Sequence, residues 1–363
     1  MEFDVFLQGT VFVDVVLTGL AGPLERGTEV MAEGMGTCPG GIANLAVAAS
    51  RLGLRTSLAA GFGDDLYGDF LWRTLSEQEG VDLSRSRRFV DWHSPVTVSL
   101  AVQRDRAMVT HSHPLPIPPS EMVGDPPGAA AAVAHLGDGS EGWVAKAQAH
   151  GVRLFGDVGW DPSEQWSAAL LEQLGNFYAF MPNSDEAMAY TRTSDPRAAL
   201  LRLADAVPVA VVTCGGQGSI AIDSTTGEEE WVPSLPVNQV DATGAGDVFD
   251  AAFILGTLRE WPLRHRLAFA NLCAALSVQQ VGGSLAAPGW GDLADWLSAT
   301  QERARSGSRA AGVFAHGYDF LSDVLPEGPV RAVRRASATI ARTSSSITGF
   351  CLTGRGGDQF NPA

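Results

Sequence analysis

The chain has 363 residues, 45% of them hydrophobic and 18% charged, with a formal net charge of −16. This is the composition of a globular protein, long enough for one large α/β domain or two smaller ones. The negative charge argues against nucleic acid and against an anionic membrane as partners. The four cysteines are far apart and form no Cys-x-x-Cys pair, which indicates reduced thiols and argues against a disulfide framework or a zinc site.

The apolar runs of the chain are short. The first of them is broken by Asp4 and Asp14, and no run approaches the roughly 18 apolar residues that a membrane span needs. We therefore expect a soluble, cytoplasmic protein without membrane contact.

Strand-like and helix-like patterns alternate along the chain. Apolar or β-branched runs predict strands at 3–7, 11–17, 57–62, 96–102, 129–135, 152–157, 177–181 and 207–213. Small-residue apolar patterns predict helices at 42–52, 248–258 and 267–281. Because parallel strands need crossover connections, this alternation predicts an α/β protein with a parallel sheet covered on both faces.

One segment, Asp-Ala-Thr-Gly-Ala-Gly-Asp at 241–247, precedes the most apolar of these helices. A helix N-terminus has unpaired backbone N–H groups and a partial positive charge, so it suits a phosphate. The small residues Gly244, Ala245 and Gly246 would let those N–H groups approach a ligand closely. Asp247 would then stand where a carboxylate can take a proton from an attacking hydroxyl. Taken alone, the same segment is equally an ordinary helix start with Asp as a capping residue.

This segment, continued by Val248 and Phe249, resembles the C-terminal signature of the ribokinase-like (PfkB) carbohydrate kinases. Two other segments resemble that family as well: Gly-Gly-Ile-Ala-Asn at 40–44, and Pro-Asn-Ser-Asp-Glu at 182–186. The resemblance covers about residues 1–300. It implies a ribokinase-like three-layer αβα sandwich with a mainly parallel central sheet and a small β-sheet lid. It also implies ATP-dependent phosphorylation of a hydroxymethyl group of a sugar or related polyol, with Mg²⁺.

The resemblance implies a role for each matching residue. Gly244, Ala245 and Gly246 would form the anion hole for the transferred phosphate, with Asp247 as the catalytic base. We expect Asp247 to be ionised at neutral pH, because the helix dipole favours a carboxylate there.

The implied sugar-binding residues are Asp14, Gly40, Gly41 and Asn44. The alternative for Asp14 is a solvent-facing residue on an edge strand. Only two residues separate the glycines from Asn44, where the family usually has three, so the resemblance does not name the sugar.

The implied nucleotide-binding residues are Asn183, Thr213, Gly216, Gly218 and Asn271. Glu186 would hold Mg²⁺ through water, and Asp241 and Thr243 match the place where the family binds a monovalent cation such as K⁺. Structural alternatives stand beside these roles. Asn183 and Glu186 also fit a capping box at a helix start, and Asn271 also fits a buried structural amide.

The lid is predicted at about 11–36 and 96–110, where it would exclude water from the transfer. Its exposed edge could pair with a second copy to form a homodimer. Residues 301–363, beyond the resemblance, are predicted as a C-terminal extension that is helical or partly disordered.

Two other functions remain open at this point. A nucleoside kinase would use the same fold and catalytic parts, and a non-catalytic sugar- or nucleotide-binding regulator would need only the pocket. The presence of Asp247, the small-residue loop and Glu186 favours catalysis. A dinucleotide-dependent dehydrogenase is disfavoured, because no Gly-x-Gly-x-x-Gly follows the first strand.

Overall fold

The structure, a computed structural model, describes residues 1–102, 105–137, 139–159, 161 and 163–326. The strands are β1 (Phe3–Gln8), β2 (Val11–Leu20), β3 (Ala32–Gly41), β4 (Thr56–Ala59), β5 (Gly61–Gly63), β6 (Arg87–Phe89), β7 (Val96–Val102), β8 (Asp105–His111), β9 (Ala129–His135), β10 (Arg153–Asp157), β11 (Ala179–Phe180), β12 (Val209–Thr213), β13 (Ser219–Asp223) and β14 (Glu228–Val232). The α-helices are α1 (Ala43–Arg51), α2 (Leu66–Arg73), α3 (Pro119–Val123), α4 (Glu141–Ala149), α5 (Ser184–Thr191), α6 (Pro196–Ala204), α7 (Ala245–Leu258), α8 (Leu263–Ser277), α9 (Trp290–Arg305), α10 (Arg309–Gly317) and α11 (Leu321–Val324). None of the helices in this part of the chain has the length and apolarity that a membrane crossing requires.

The large sheet has eight strands in the order β14-β13-β12-β11-β10-β9-β1-β4. Pairing is parallel from β4 to β12, and only β13 and β14 pair antiparallel. The mainly parallel central sheet predicted from the sequence is therefore confirmed. Because parallel strands end at the same edge, the last residues of β9, β10 and β12, which are His135, Asp157 and Thr213, all lie at that edge.

The two faces of this sheet have separate apolar cores, and strand β1 contributes to both. Val5 and Leu7 pack into the core formed with α1, α7, α8 and α9. Phe6 points to the other face and packs edge-on against Trp143 of α4, with ring centroids 5.5 Å apart. This alternation follows from the two-residue period of a strand. The result is the predicted three-layer arrangement, with helices on both faces of the sheet.

A second sheet of four strands, in the order β3-β2-β7-β8, forms the predicted small sheet. Strand β3 of this sheet continues to Gly41, beyond the predicted end of the lid segment near residue 36, because residues 34–41 stay paired with β2. At Gly40 a Cβ would lie 2.0 Å from Oδ2 of Asp14. The glycine-rich stretch is therefore a strand that needs glycine for side-chain room.

Helix α7 confirms the predicted buried helix. Every residue from Val248 to Thr257 is buried, including both Phe249 and Phe253. The helix starts at Ala245, one residue after Gly244, which has a φ of 74°. Glycine adopts this left-handed conformation without the penalty that a Cβ brings.

Helical structure continues across residue 300, the predicted domain boundary. Helix α9 crosses it, and Tyr318, Phe320 and Leu321 beyond α10 are buried in the same core as α7 and α8. The Phe320 ring stacks on His265 of α8 at a centroid distance of 4.2 Å. The first part of the predicted extension is thus helical and packed, while its remainder, 327–363, lies outside the described residues.

We expect truncation after Ser306 to destabilise the protein. It removes the side chains of Tyr318, Phe320 and Leu321, whose burial contributes on the order of 2 kcal/mol each. Thermal unfolding of this variant should be compared with that of a chain truncated after Pro326, which keeps all three. Equal melting temperatures for the two truncated chains would show that residues 307–326 add nothing to the core.

Candidate active site

A cavity of about 420 Å³ opens at the edge where the parallel strands end. It brings together six residues predicted for the site: Gly41, Asn183, Glu186, Thr213, Gly246 and Asp247. The cavity is also lined by Gly9 and Thr10, in the turn between β1 and β2, and by Phe12 on β2. Residues from widely separated parts of the sequence therefore share one space.

The start of α7 faces this cavity. The backbone N–H groups of Gly246 and Asp247 belong to the first helical turn, which has no acceptors of its own. Gly246 is exposed and Asp247 is partly buried. This arrangement gives an anion the N–H groups and partial positive charge of a helix start, next to a carboxyl group.

Asn44 holds the carboxyl group of Asp247. Its Nδ2 donates to Oδ2 of Asp247 at 3.2 Å, and its Oδ1 is buried without a hydrogen-bond partner among the described residues. The side chain fits because Gly244 and Gly283 lie against it. A Cβ at Gly244 would come within 2.9 Å of the amide carbon, and one at Gly283 within 3.3 Å of Oδ1. In this structure Asn44 contacts the predicted base, so its predicted contact with sugar stays a prediction.

Asp14 lies on β2, which pairs with β3 on one side and with β7 on the other. The residue is 7% exposed. The alternative that Asp14 is a solvent-facing residue on an edge strand is therefore wrong. Its charge acts on Asp247, so the two carboxyl groups belong to one electrostatic environment.

The cavity contains more acid groups than the sequence indicated. Asp157 ends β10 and Asp250 lies one turn after Asp247 on α7, and both line the cavity with Glu186. Burial, followed by the charge of Asp157, raises the pKa of Glu186 to about 7. Burial raises the pKa of Asp157 to about 7, although a hydrogen bond from the Val158 N–H acts to lower it. For Asp250, burial and then the charges of Asp157 and Asp247 raise the pKa well above its ordinary value.

The pKa of Asp247 itself is raised to about 7, first by burial and then by the charge of Asp157. His135 and the hydrogen bond from Asn44 act in the opposite direction. The expectation that Asp247 is ionised at neutral pH considered only the helix dipole and left out burial and the charge of Asp157, which both raise its pKa.

His135, Asp157 and Asp250 were missed by the reasoning from sequence, although each carried a signal. His135 and Asp157 are the last residues of predicted strands, and the ends of parallel strands meet at one edge. Asp250 is the one charged residue in the buried part of α7, from Val248 to Thr257. A lone charge in such an apolar run indicates a functional or paired group.

Asn183 and Glu186 form a capping box at the start of α5. Oδ1 of Asn183 accepts from the N–H of Glu186 at 3.0 Å, and Oε2 of Glu186 accepts from the N–H of Asn183 at 3.1 Å. Both residues also line the cavity together with Thr213. The structural alternative is confirmed, and the cap fixes the two side chains at the cavity wall.

Three other residues predicted to bind the nucleotide do not line this cavity: Gly216, Gly218 and Asn271. Nδ2 of Asn271 donates to the carbonyl of Val232 at 3.0 Å, which ties α8 to β14. Gly218 has a φ of 99°, and a Cβ there would lie 2.0 Å from the same carbonyl. Packing accounts for Gly218 and Asn271, and their nucleotide contacts stay predictions.

Asp241 shapes the loop before α7. Its Oδ1 accepts from the N–H of Thr243 at 2.9 Å, and its Oδ2 accepts from the N–H of Gly282 at 3.3 Å. The loop before α7 is thereby fixed to Gly282, the neighbour of Gly283, which lies against Asn44. Binding of a monovalent cation by Asp241 and Thr243 stays a prediction.

A mainly parallel sheet beside a smaller sheet, with a helix start and a buried carboxyl group facing one cavity, agrees with a kinase of small molecules. The chain belongs to the PfkB family of carbohydrate kinases. The family model described as pfkB family carbohydrate kinase matches residues 142–289. The chain is 30% identical to a fructokinase of Klebsiella pneumoniae over 282 residues, which cover 70% of this chain and 91% of that enzyme.

Other relatives agree with this membership. A 5-dehydro-2-deoxygluconokinase of Bacillus licheniformis is 23% identical over 328 residues, covering 82% of this chain and 97% of the relative. The structure of Arabidopsis thaliana ribokinase superposes with a TM-score of 0.67 at 22% identity, covering 80% of this chain and 96% of the other. This last likeness shows the ribokinase-like fold.

We expect Asn44→Ala to impair the reaction through Asp247. Loss of a hydrogen bond to a charged group costs about 1.5–3 kcal/mol, so kcat should fall roughly 10- to 100-fold while the KM for ATP changes little. Because the bond from Asn44 lowers the pKa of Asp247, the pH midpoint of kcat/KM should also move upward. The exposed Asn176 gives a matched Asn→Ala control. An unchanged pH midpoint would contradict a positioning role.

Proposed function

We propose that the protein transfers the terminal phosphate of ATP to a hydroxymethyl group of an uncharged sugar. The observation that supports this most is the shared cavity, in which the start of α7 and Asp247 face Asn183 and Glu186. Among proteins of similar fold, one ribokinase structure contains ribose and ATP, and another ribokinase structure contains ATP and Mg²⁺.

In the proposed step, the sugar hydroxyl oxygen attacks the terminal phosphorus of ATP. A new oxygen–phosphorus bond forms, and the bond from that phosphorus to the bridging oxygen breaks, releasing ADP. Asp247 takes the hydroxyl proton. The N–H groups of Gly246 and Asp247 stabilise the negative charge on the phosphoryl oxygens, and Asn44 keeps the carboxyl group in place.

The acid groups of the cavity fit a magnesium ion. Asp157 and Glu186 offer the oxygen ligands that Mg²⁺ prefers. Among the described residues no three His, Cys, Asp or Glu side chains are grouped so that they could ligate one ion directly. When bound, Mg²⁺ supplies charge neutralisation to the phosphates.

The charge of the cavity favours an uncharged sugar. No Lys or Arg of the described residues lines it, and His135 is its one basic group in that part of the chain. The single lysine of the chain, Lys146, donates to the carbonyl of Gly124 elsewhere. A substrate carboxylate would therefore be desolvated next to Asp157 and Asp247 without a cationic partner.

We expect Asp247→Asn to lower kcat by about 10²- to 10⁴-fold, the usual contribution of a general base. ATP affinity and thermal stability should change little, since the amide keeps the size of the side chain. In the unmodified enzyme, kcat/KM should rise with pH through about 7, because this ratio reports the pKa of the base in the free enzyme. A pH–rate profile from 5.5 to 8.5 measures both effects. Near-normal turnover of the Asn variant would refute the assignment of the base.

A substrate panel tests the charge argument and the nucleoside alternative together. Release of ADP should be measured with fructose, ribose, adenosine and 5-dehydro-2-deoxygluconate. An unpaired buried charge costs about 3–5 kcal/mol, so kcat/KM for the best neutral sugar should exceed that for the acid by at least about 100-fold. Preference for the acid would contradict the uncharged-substrate proposal, and preference for adenosine would support a nucleoside kinase.

A further inference from the structure

Arg51, the last residue of α1, is a buried arginine that the proposed reaction does not use. Its side chain is 4% exposed and forms a bidentate ion pair with Glu79, with Nε at 2.8 Å from Oε2 and Nη2 at 3.0 Å from Oε1. Its Nη1 donates to the carbonyls of Leu285 at 3.0 Å and Ala287 at 2.7 Å. The planar guanidinium supplies this set of donors in a fixed geometry, which a lysine cannot reproduce.

The two carbonyls belong to residues 282–287, which follow α8 and contain one short 3₁₀ helix, Gly283–Ala286. Leu285 and Ala287 are both buried. A buried carbonyl that loses its donor is unfavourable, so without Arg51 this segment would shift until both carbonyls found new donors. Arg51 therefore fixes where residues 282–287 lie against α1.

The first residues of the same segment lie beside the other end of α1. Gly283 is buried, and a Cβ there would come within 3.3 Å of Oδ1 of Asn44 and within 3.2 Å of Sγ of Cys38. The N–H of Gly282 donates to Oδ2 of Asp241, in the loop before α7. The position of the segment therefore determines how much room the side chain of Asn44 has.

We propose that Arg51 is a positioning residue for the carboxyl group of Asp247. Arg51 holds residues 282–287 through two carbonyls, and Gly283 of that segment lies against Asn44. Asn44 in turn donates to Oδ2 of Asp247 at 3.2 Å. A shift of the segment would free the Asn44 side chain to turn away from Asp247. The inference rests on the proposed function, because it takes Asp247 to be the base.

The test is a double-mutant cycle on the full-length enzyme, with release of ADP measured on its best sugar substrate. Arg51→Lys keeps the positive charge and removes the forked set of donors. Its kcat should fall roughly 10-fold, a coupling usual for residues of one contact network, while the KM for ATP changes little. The pH midpoint of kcat/KM should move upward, as in Asn44→Ala, because the bond from Asn44 lowers the pKa of Asp247.

The cycle separates this role from a purely structural one. In the Asn44→Ala background, Arg51→Lys should lower kcat by less than about 2-fold further, because the contact through which Arg51 acts is already absent. Effects of two independent residues would multiply instead. If Arg51→Lys does not fold, Glu79→Gln, which removes the carboxylate that orients the guanidinium, must show the same dependence on Asn44.

Arg266 gives a matched control. Its side chain is 8% exposed, pairs with Asp223 at 2.9 Å and donates to the carbonyl of Trp261, and it does not line the cavity. Arg266→Lys should lower the melting temperature as Arg51→Lys does, because each change removes bonds from a buried guanidinium. Its kcat and its pH midpoint should stay those of the unmodified enzyme.

A normal kcat in Arg51→Lys or in Asn44→Ala would overturn the inference, and so would losses of kcat that multiply in the double variant. Asp247→Asn is measured beside them. If Asp247→Asn lowers kcat while Arg51→Lys does not, only the inference fails. Near-normal turnover of Asp247→Asn would instead contradict the proposed mechanism, and the inference with it.

Discussion

The geometry of the active site depends on the contact between Asn44 and the start of α7. Two glycines make this contact possible, because Gly244 and Gly283 leave room that a Cβ would occupy. Gly244 also takes the left-handed conformation from which the helix begins. Position 244 therefore needs glycine for two reasons: its left-handed backbone conformation, and the room that it leaves for the side chain of Asn44. The orientation of Asp247 is fixed by close packing of α1 against α7, so it does not rely on a flexible side chain.

Charge is the second constraint on the site. The edge of a parallel sheet brings together side chains from several strands and helices. In this protein most of the titratable side chains that line the cavity at this edge are acidic. Burial then raises the pKa of Asp157, Glu186 and Asp247 into the neutral range. A base with a pKa near the working pH accepts a proton readily and is still present in its active form. Removal from water makes the charged carboxylates of the cluster less stable. The same removal from water raises the pKa of Asp247 toward the neutral range.

The features predicted correctly from the sequence were those set by local patterns. Helix α7 follows from a continuous apolar run, and the capping box of α5 follows from the three-residue spacing of Asn183 and Glu186. Features that depend on distant partners were missed. The bond from Asn44 to Asp247 joins residues 203 positions apart, and Phe320 finds its partner on α8. The lid segment was predicted to end near residue 36, but pairing with β2 continues to Gly41 despite the low strand propensity of glycine.

The position of Asn44 also bears on how the sugar is recognised. Asn44 is the second residue of α1 and does not line the cavity. The small sheet and the segments joined to it contribute Gly9, Thr10, Phe12, Gly41 and Ile42 to the cavity lining. Sugar selectivity is therefore expected to depend on the turn between β1 and β2 and on the residues beside it. Asn44 would act instead by positioning the carboxyl group of Asp247.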